Sequence, residues 1–288
     1  MPTVLASGPP ITSPGGHCWN MGGQARGVDE LCRAVQHRAE RGVDIVKIMA
    51  SGGVSTPGTD AFAPQFTIEE LRAVVDAAHA AGLLVTAHAH PLTAIRDAVA
   101  AGVDAIEHGT FATETGIEVP NAVVASLVES AIPVCPTLGK AWGVVLTPAS
   151  LEFMRKTGLT YEVRVQTVGQ LHRAGVHLVS GSDDGINPSR RHGGLAEAVI
   201  DLVAGGVCTA DALASVNCPG SGPPLIGSPD AAVCDYFVAN DELVAELARR
   251  IRAPQASSDG GRRCRCRRGR LEDPLTKRRN PRKPLRIN

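Results

Sequence analysis

The stretch LLVTAHAHPLTAIRDAVAAGVDAIEH, residues 83–108, decides the fold of this chain. It begins with a short apolar run at 83–87, continues with apolar residues three and four positions apart at 91–101, and ends with a second apolar run at 103–107. The two short runs are typical of buried strands, and the spacing between them is typical of a helix. Because neighbouring parallel strands need a crossover connection, the stretch predicts a parallel β–α–β unit.

The same alternation of short apolar runs and helical periodicity extends along most of the chain. Including the two runs above, six strands are predicted, at 3–7, 44–49, 83–87, 103–107, 132–137 and 176–181. Helices are predicted between and after them, at 28–41, 67–82, 91–101, 120–130, 148–174, 194–204 and 209–215. Because a closed barrel needs eight strands, we expect an α/β fold of the (β/α)8 TIM type that is incomplete in this chain. A doubly wound sheet is disfavoured, since the glycine-rich residues 22–27 do not follow a predicted strand.

Charge divides the chain into parts of different composition. Residues 1–250 contain 16 Lys and Arg against 26 Asp and Glu, a net charge of −10, whereas residues 251–288 contain 13 against 3, a net charge of +10. We predict a barrel core at 1–217, a degenerate C-terminal segment at 218–250 and a disordered basic tail at 251–288. Nucleic-acid binding through the arginine-rich run 262–270 is an alternative, disfavoured because aromatic residues are not interleaved there.

The sequence carries no sign of a membrane-spanning or secreted protein. It has no stretch of 18 or more apolar residues, and its first residues lack the basic and apolar regions of a signal peptide. Its eight cysteines are scattered, which fits a reducing compartment. We expect a cytoplasmic protein with a small-molecule substrate, no membrane and no nucleic-acid partner. The sequence is compatible with a homo-oligomer.

Residues that can bind metal occur in or directly after four of the predicted strands. They are Lys47 within the run 44–49, His88 and His90 after 83–87, His108 after 103–107, and Asp183 after 176–181. Because the C-terminal ends of barrel strands meet at one face, these side chains can converge despite their separation in sequence. Imidazoles together with a carboxylate suit a zinc-like divalent ion. The sequence therefore predicts a metal site at this face.

Each of these residues also has an explanation without metal. A single strand-end histidine is more often a hydrogen-bonded structural residue, and the Asp–Asp–Gly sequence at 183–185 is an ordinary turn. Lys47 can be the Schiff-base lysine of an aldolase-type barrel, a role that leaves His88 and His108 unexplained. One shared metal site explains the residues at successive strand ends better than separate structural roles do.

Five short segments, in this order, resemble the amidohydrolase superfamily in its imidazolonepropionase-like and Xaa-Pro dipeptidase-like branch. They are GHC at 16–18, VKIMASGG at 46–53, TAHAH at 86–90, IEHGT at 106–110 and SGSD at 180–183. The set is specific and covers roughly residues 1–217. The resemblance implies a metal-dependent hydrolase that uses a metal-activated water to cleave an amide, a cyclic amide or a dipeptide bond.

The resemblance also implies roles for the predicted ligands. Lys47 would be carboxylated on its amine and bridge two divalent ions, with zinc the expected metal. His88 and His108 would hold one ion. Asp183 would bind the other ion and, as a catalytic residue, move a proton from the attacking water to the leaving amine.

Three further histidines are candidates for contact with the substrate. His90 lies two residues past a ligand, so a substrate contact or a supporting hydrogen bond is expected rather than direct metal ligation. His17, in a glycine-rich loop, and His192, after the last predicted strand, are weaker candidates of the same kind.

The sequence departs from the family pattern upstream of Lys47. Family members carry a His-x-His pair on the first barrel strand, whereas the pair here, His88 and His90, falls at the position of the fifth. We therefore expect about strands 3–8 of the barrel, an N-terminally truncated enzyme and one or two metal ions. The alternative is a catalytically impaired homologue with a partial metal site.

Overall fold

A computed structural model of the protein describes residues 5–139, 146–185 and 192–216. A five-stranded sheet lies at its centre, and four of the strands are parallel. A short fourth strand folds back antiparallel against the third. The strands are β1 (Ile45–Met49), β2 (Leu84–Pro91), β3 (Ala105–Thr113), β4 (Gly116–Ile117) and β5 (Val134–Cys135). The parallel β–α–β unit predicted at 83–108 is therefore confirmed.

The parallel order continues past the named strands at both edges. β1 pairs with β2, β2 with β3 and β3 with β5. One bridge joins Ile11 to Ile48 of β1, and another joins Leu178 to Val134 of β5, so six positions follow one another in parallel. The strand predicted at 3–7 is wrong for residues 5–7, which form no strand, and residues 3 and 4 lie outside the described part. Ile11 takes this position because its backbone bonds to β1.

Helices connect the strands close to the predicted positions. Within the described residues they are α1 (Gly27–Glu40), α2 (Ile68–Ala80), α3 (Leu92–Ala101), α4 (Asn121–Glu129), α5 (Pro148–Thr157), α6 (Tyr161–Arg173), α7 (Leu195–Ala204) and α8 (Thr209–Ala214). The prediction of one continuous helix at 148–174 is wrong. Gly158 adopts a left-handed conformation with φ 61°, which ends α5 and separates it from α6.

Helix α2 illustrates why these segments are helical. The Thr67 hydroxyl accepts the N–H of Glu70 at 3.2 Å, and the Glu70 carboxylate accepts the N–H of Thr67 at 2.9 Å. These two reciprocal hydrogen bonds form a capping box, and such a cap contributes about 1 kcal/mol. The buried face of the helix packs into the main core through Leu71, Val74, Val75 and Ala78.

Part of the predicted organisation lies outside the described residues. The segment 218–250 and the basic tail 251–288 both belong to that part. No helix in the described ranges combines the length and the apolar character needed to cross a membrane.

Candidate metal centre

Strand β2 brings two histidines to one face of the sheet. Alternate side chains of a regular strand point to opposite faces. Val85, Ala87 and Ala89 are fully buried in the main core, so His88 and His90 lie on the other face. His88 is only 2% exposed, whereas His90 is half-buried. Regular strand geometry is therefore sufficient to place the two imidazoles next to each other at the C-terminal end of β2.

Strand β3 presents His108 by a different route. Glu107 lies on the same face of the sheet as Thr86 and His88, and its carboxylate accepts a hydrogen bond from the Thr86 hydroxyl at 2.9 Å. Regular alternation would therefore place His108 on the opposite face, away from His88. Instead His108 has a φ of 68°, and the register between β2 and β3 shifts directly after it. Residues 108–111, called the β3 bulge below, also include positive φ values at Gly109 and Phe111. A left-handed non-glycine residue costs about 1–3 kcal/mol, and here it turns the His108 imidazole towards β2.

The three histidines form a compact cluster. The ring centroids of His88 and His108 lie 4.5 Å apart, those of His90 and His108 4.5 Å, and those of His88 and His90 4.8 Å. One ring nitrogen from each residue lies within 4.8 Å of the others. Imidazoles are preferred zinc ligands, and three of them grouped in this way form a candidate site for one divalent ion. We call these residues the histidine cluster.

Two threonine hydroxyls orient the half-buried members of the cluster. Nδ1 of His90 lies 2.8 Å from Oγ1 of Thr110, and Nδ1 of His108 lies 2.9 Å from Oγ1 of Thr137. Hydrogen bonds of this kind fix the rotation of an imidazole and leave Nε2 for a metal ion. The two threonines therefore prepare both rings for ligation.

His88 is oriented by a backbone carbonyl. Its Nε2 lies 3.0 Å from the carbonyl oxygen of Gly52, and since a carbonyl only accepts, the proton must be on Nε2. The lone pair of Nδ1 then remains as the possible metal ligand. Burial, followed by the neighbouring His90, His17 and Lys47, holds the pKa of His88 well below its usual value. The ring is consequently neutral, as a metal ligand must be.

Lys47 lies on β1, directly opposite Thr86 of β2, and is half-buried. Burial and then the positive charge of Lys47 lower the pKa of His17 to about 4. The same charge contributes to the lowered pKa of His88. Lys47 therefore lies within electrostatic range of both rings, whose centroids are 4.5 Å apart. The structure thus brings Lys47 and His17 beside the histidine cluster.

Asp183 lies within electrostatic range of Cys18, the residue that follows His17. Cys18 Sγ lies 3.6 Å from Nε2 of His17, and burial raises the pKa of this thiol. The charge of Asp183 raises it further and that of Lys47 lowers it, so both charged groups lie within range of Cys18. Asp183 is exposed, has a φ of 57°, and is not a member of the histidine cluster.

His192 is not a member of the histidine cluster. It is exposed, and a Cβ atom added to Gly185 would lie 2.7 Å from its Cε1, so the ring packs against the turn that follows Asp183. In the same turn, the N–H of Gly194 donates to Asp184 at 2.8 Å. His192 therefore lies beside the Asp183–Gly185 turn at the surface.

A cavity of about 100 Å³ opens beside His90 and His108. Its apolar lining consists of Val54, Leu138, Phe153, Met154 and Leu159. At its polar end the Tyr161 hydroxyl donates to Asp201 at 2.9 Å, and burial together with this carboxylate raises the pKa of Tyr161. The cavity can hold a small molecule with one end at the histidine cluster.

Comparison with known proteins assigns the chain to a family. A family model described as the amidohydrolase family matches residues 2–218, about three quarters of the chain. The chain belongs to the amidohydrolase family. Metal dependence is general in this family, and the histidine cluster of this amidohydrolase agrees with it. The family expected from the sequence is thereby confirmed, and superposition on a solved Xaa-Pro dipeptidase confirms the expected barrel fold.

Solved and sequenced relatives agree with this assignment. A Xaa-Pro dipeptidase crystallised with bound methionine superposes with a TM-score of 0.63 at 27% identity, covering 73% of this chain and 54% of that one. Ochratoxinase of Aspergillus niger shares the fold, with a TM-score of 0.60 at 24% identity over 74% and 53% of the two chains.

In sequence, a 90-residue stretch is 39% identical to the A. niger ochratoxinase but covers only 31% of this chain and 19% of that protein. An uncharacterized protein of Mycobacterium tuberculosis is 28% identical over 220 residues, 74% of this chain and 56% of that protein. This amidohydrolase therefore spans about half the length of the solved dipeptidase that it matches.

Sequence reasoning missed the residues that support the cluster. Thr110 follows His108 by two positions, and Thr137 ends the apolar run that forms β5. Their places at strand ends were therefore a signal that the sequence contained. Arg164, on helix α6, donates to the carbonyl of His108, a contact that no local pattern signals. His90 was expected to act beside the ligands, and the structure places it within the cluster itself.

Proposed function

We propose that this amidohydrolase is a metal-dependent hydrolase that cleaves a C–N bond of an amide, a cyclic amide or a dipeptide. The convergence of three imidazoles beside a cavity at the strand ends carries this proposal. Membership of the amidohydrolase family supports the general reaction. The proposal for the particular bond rests on the solved relatives, which are named as a Xaa-Pro dipeptidase and a prolidase.

The residues at the strand ends fit a divalent ion of the zinc type. His88 and His108 are the proposed ligands of one ion, and His90 lies close enough to be a third. Neutral, hydrogen-bonded imidazoles are the nitrogen donors that zinc prefers. Carboxylation of Lys47, within electrostatic range of His88, would add an anionic oxygen ligand and remove the cost of a cation beside the metal.

The chain's own residues have separate tasks in the proposed reaction. A bound divalent ion would polarise the scissile carbonyl and lower the pKa of a water molecule. Asp183, exposed and able to reach solvent, takes the proton from the attacking water and delivers it to the leaving amine. The apolar wall of the cavity excludes bulk water. His17, beside His88, and the exposed His192 are the proposed substrate contacts outside the cavity.

The substrate is proposed to be a small molecule that carries an apolar group. The cavity beside His90 and His108 has an apolar wall formed by Val54, Leu138, Phe153, Met154 and Leu159. A cytoplasmic setting and a homo-oligomer remain predictions from the sequence, and the nucleic-acid alternative concerns residues outside the described part.

The proposal is tested by metal analysis and by assay of the complete chain. Purified protein should contain one to two divalent ions per chain and hydrolyse Xaa-Pro dipeptides or other small amides. Asp183→Asn should keep the ion at the histidine cluster and lower kcat, because it removes the proton carrier. Added bicarbonate should strengthen metal binding in the wild type but not in Lys47→Met, because only a lysine can form the carbamate.

His79→Asn is the matched control for changes at the cluster. His79 is an exposed histidine on α2 that pairs with Asp104 at 2.8 Å, so its replacement should leave metal content and turnover unchanged. Metal-loaded protein without hydrolase activity would instead identify an impaired homologue. Trapping of a substrate adduct on Lys47 by borohydride would favour the Schiff-base alternative.

A further inference from the structure

Arg164, on helix α6, is one of two deeply buried arginines in the described part of the chain, with 7% of its surface exposed. Its guanidinium donates to three backbone carbonyls. Two of them belong to His108 and Gly109 in the β3 bulge, and the third belongs to Pro136, directly after β5. One side chain therefore connects the bulge with the segment that leads into Thr137.

The bulge needs such a partner. Where a strand bulges, the regular ladder is interrupted, and buried carbonyls must find donors elsewhere. His108 also holds a left-handed conformation that a non-glycine residue adopts only when its surroundings impose it. Hydrogen bonds from a guanidinium to carbonyls are charge-assisted and strong, and its planar fork has fixed donor directions. Arg164 supplies these donors and restrains the backbone, because it binds the two carbonyls that flank the Cα of Gly109, those of His108 and Gly109.

We infer that Arg164 is a positioning residue of the metal centre, which holds the β3 bulge against the end of β5 so that the His108 imidazole faces His88 and His90. The hydrogen bond between His108 and Thr137 spans the same two segments, 2.9 Å from nitrogen to oxygen. Arg164 thus sets both the backbone of His108 and the position of the hydroxyl that orients its ring. Only the predicted change in metal affinity rests on the proposed function.

The second buried arginine provides a matched control. Arg38 on helix α1 is 5% exposed and also donates to backbone carbonyls, those of Pro9 and Ala34. Neither carbonyl belongs to a residue of the histidine cluster or of the β3 bulge. Replacing Arg38 therefore removes a buried guanidinium of the same kind without touching the site.

The test compares Arg164→Lys, Arg164→Met and Arg38→Met in the full chain. The dissociation constant for Co²⁺ is measured by competition with a chromophoric chelator, and the stability of the metal-free protein is measured by urea unfolding. Both Arg164 variants should raise the dissociation constant by about 10–100-fold, the usual effect of losing a group that supports a metal ligand. Arg38→Met should lower stability and leave the dissociation constant unchanged.

A crystal structure of metal-free Arg164→Lys provides a readout that does not depend on metal. The expected result is a relaxed His108 backbone with negative φ and a ring withdrawn from His88. An unchanged bulge overturns the inference. So does a wild-type metal affinity in Arg164→Lys, or a loss of metal affinity in Arg38→Met as large as that in the Arg164 variants. If Arg164→Met does not fold, Arg164→Lys decides. A wild-type chain that binds no metal contradicts the proposed function instead, and the crystal structure still decides the role of Arg164.

Discussion

Strands β2 and β3 supply the same kind of side chain to the same site by different means. β2 is regular, and the two-residue alternation of an ordinary strand brings His88 and His90 to one face. β3 departs from regular geometry at His108, and the imidazole reaches the cluster because the backbone is left-handed there. The regular strand needs only its own pattern, whereas the bulged strand depends on residues from elsewhere in the chain. The two strands should therefore respond differently to substitution.

The largest effect is expected from the regular strand itself. His88→Asn should weaken metal binding by at least about 100-fold and abolish hydrolysis, because a ligand loss exceeds the loss of a supporting group. Equilibrium dialysis followed by elemental analysis measures the metal bound. Retention of the wild-type affinity would show that His88 is not a ligand and that β2 contributes only His90.

The opposite face of β3 separates stability from metal binding. Ile106 is fully buried in the main core, two positions before His108. Ile106→Ala should lower the free energy of unfolding by about 2–5 kcal/mol through the cavity it creates. Urea unfolding measures this change. Metal affinity of the folded fraction should stay the same. A loss of metal affinity would mean that the β3 bulge depends on the packing of Ile106 in the main core.

Gly109→Ala tests the bulge next to His108. Gly109 has a φ of 49°, and an added Cβ would lie 2.7 Å from Cγ1 of Val134. The substitution should cost about 1–3 kcal/mol of stability and weaken metal binding, because the strained backbone moves His108. The double variant Gly109→Ala/Val134→Ala should recover metal affinity in part, since the clash is removed. Chelator competition measures both, and equal affinity in all forms would argue against a role for the bulge.

The smallest effect is expected from the hydroxyl that orients His108. Thr137→Val keeps the shape of the side chain and removes the hydrogen bond to Nδ1. It should raise the metal dissociation constant by about tenfold, with a stability change of about 0.5–1.5 kcal/mol. Thr110→Val makes the same change for His90 on the regular strand. We expect a smaller loss of metal affinity in Thr110→Val than in Thr137→Val. A larger loss in Thr110→Val would show that the regular strand depends more on its supporting hydroxyl than the bulged strand does.

Much of the fold and part of the site could be predicted from local sequence. The capping box at Thr67 and the alternation of short apolar runs with helices correspond to contacts within a few residues. His88 and His90 follow from strand periodicity in the same way. The break at Gly158 was missed because helical periodicity resumes directly after it. The strand near the start of the chain was misplaced because Ile11 is selected by its bonds to β1, not by its neighbours in sequence.

The sequence by itself determined the order of strands and helices, the residues at the strand ends and, through five short motifs, the family. These properties depend on periodicity and residue type, which are local. Only the tertiary structure decided that His90 joins the cluster, that His108 is turned by a bulge and that Arg164 holds it. Arg164 lies 56 residues from His108 in sequence, and its hydrogen bonds exist only once the helix has packed against the sheet. Long-range contacts of this kind have no local signature, because their geometry is set by packing.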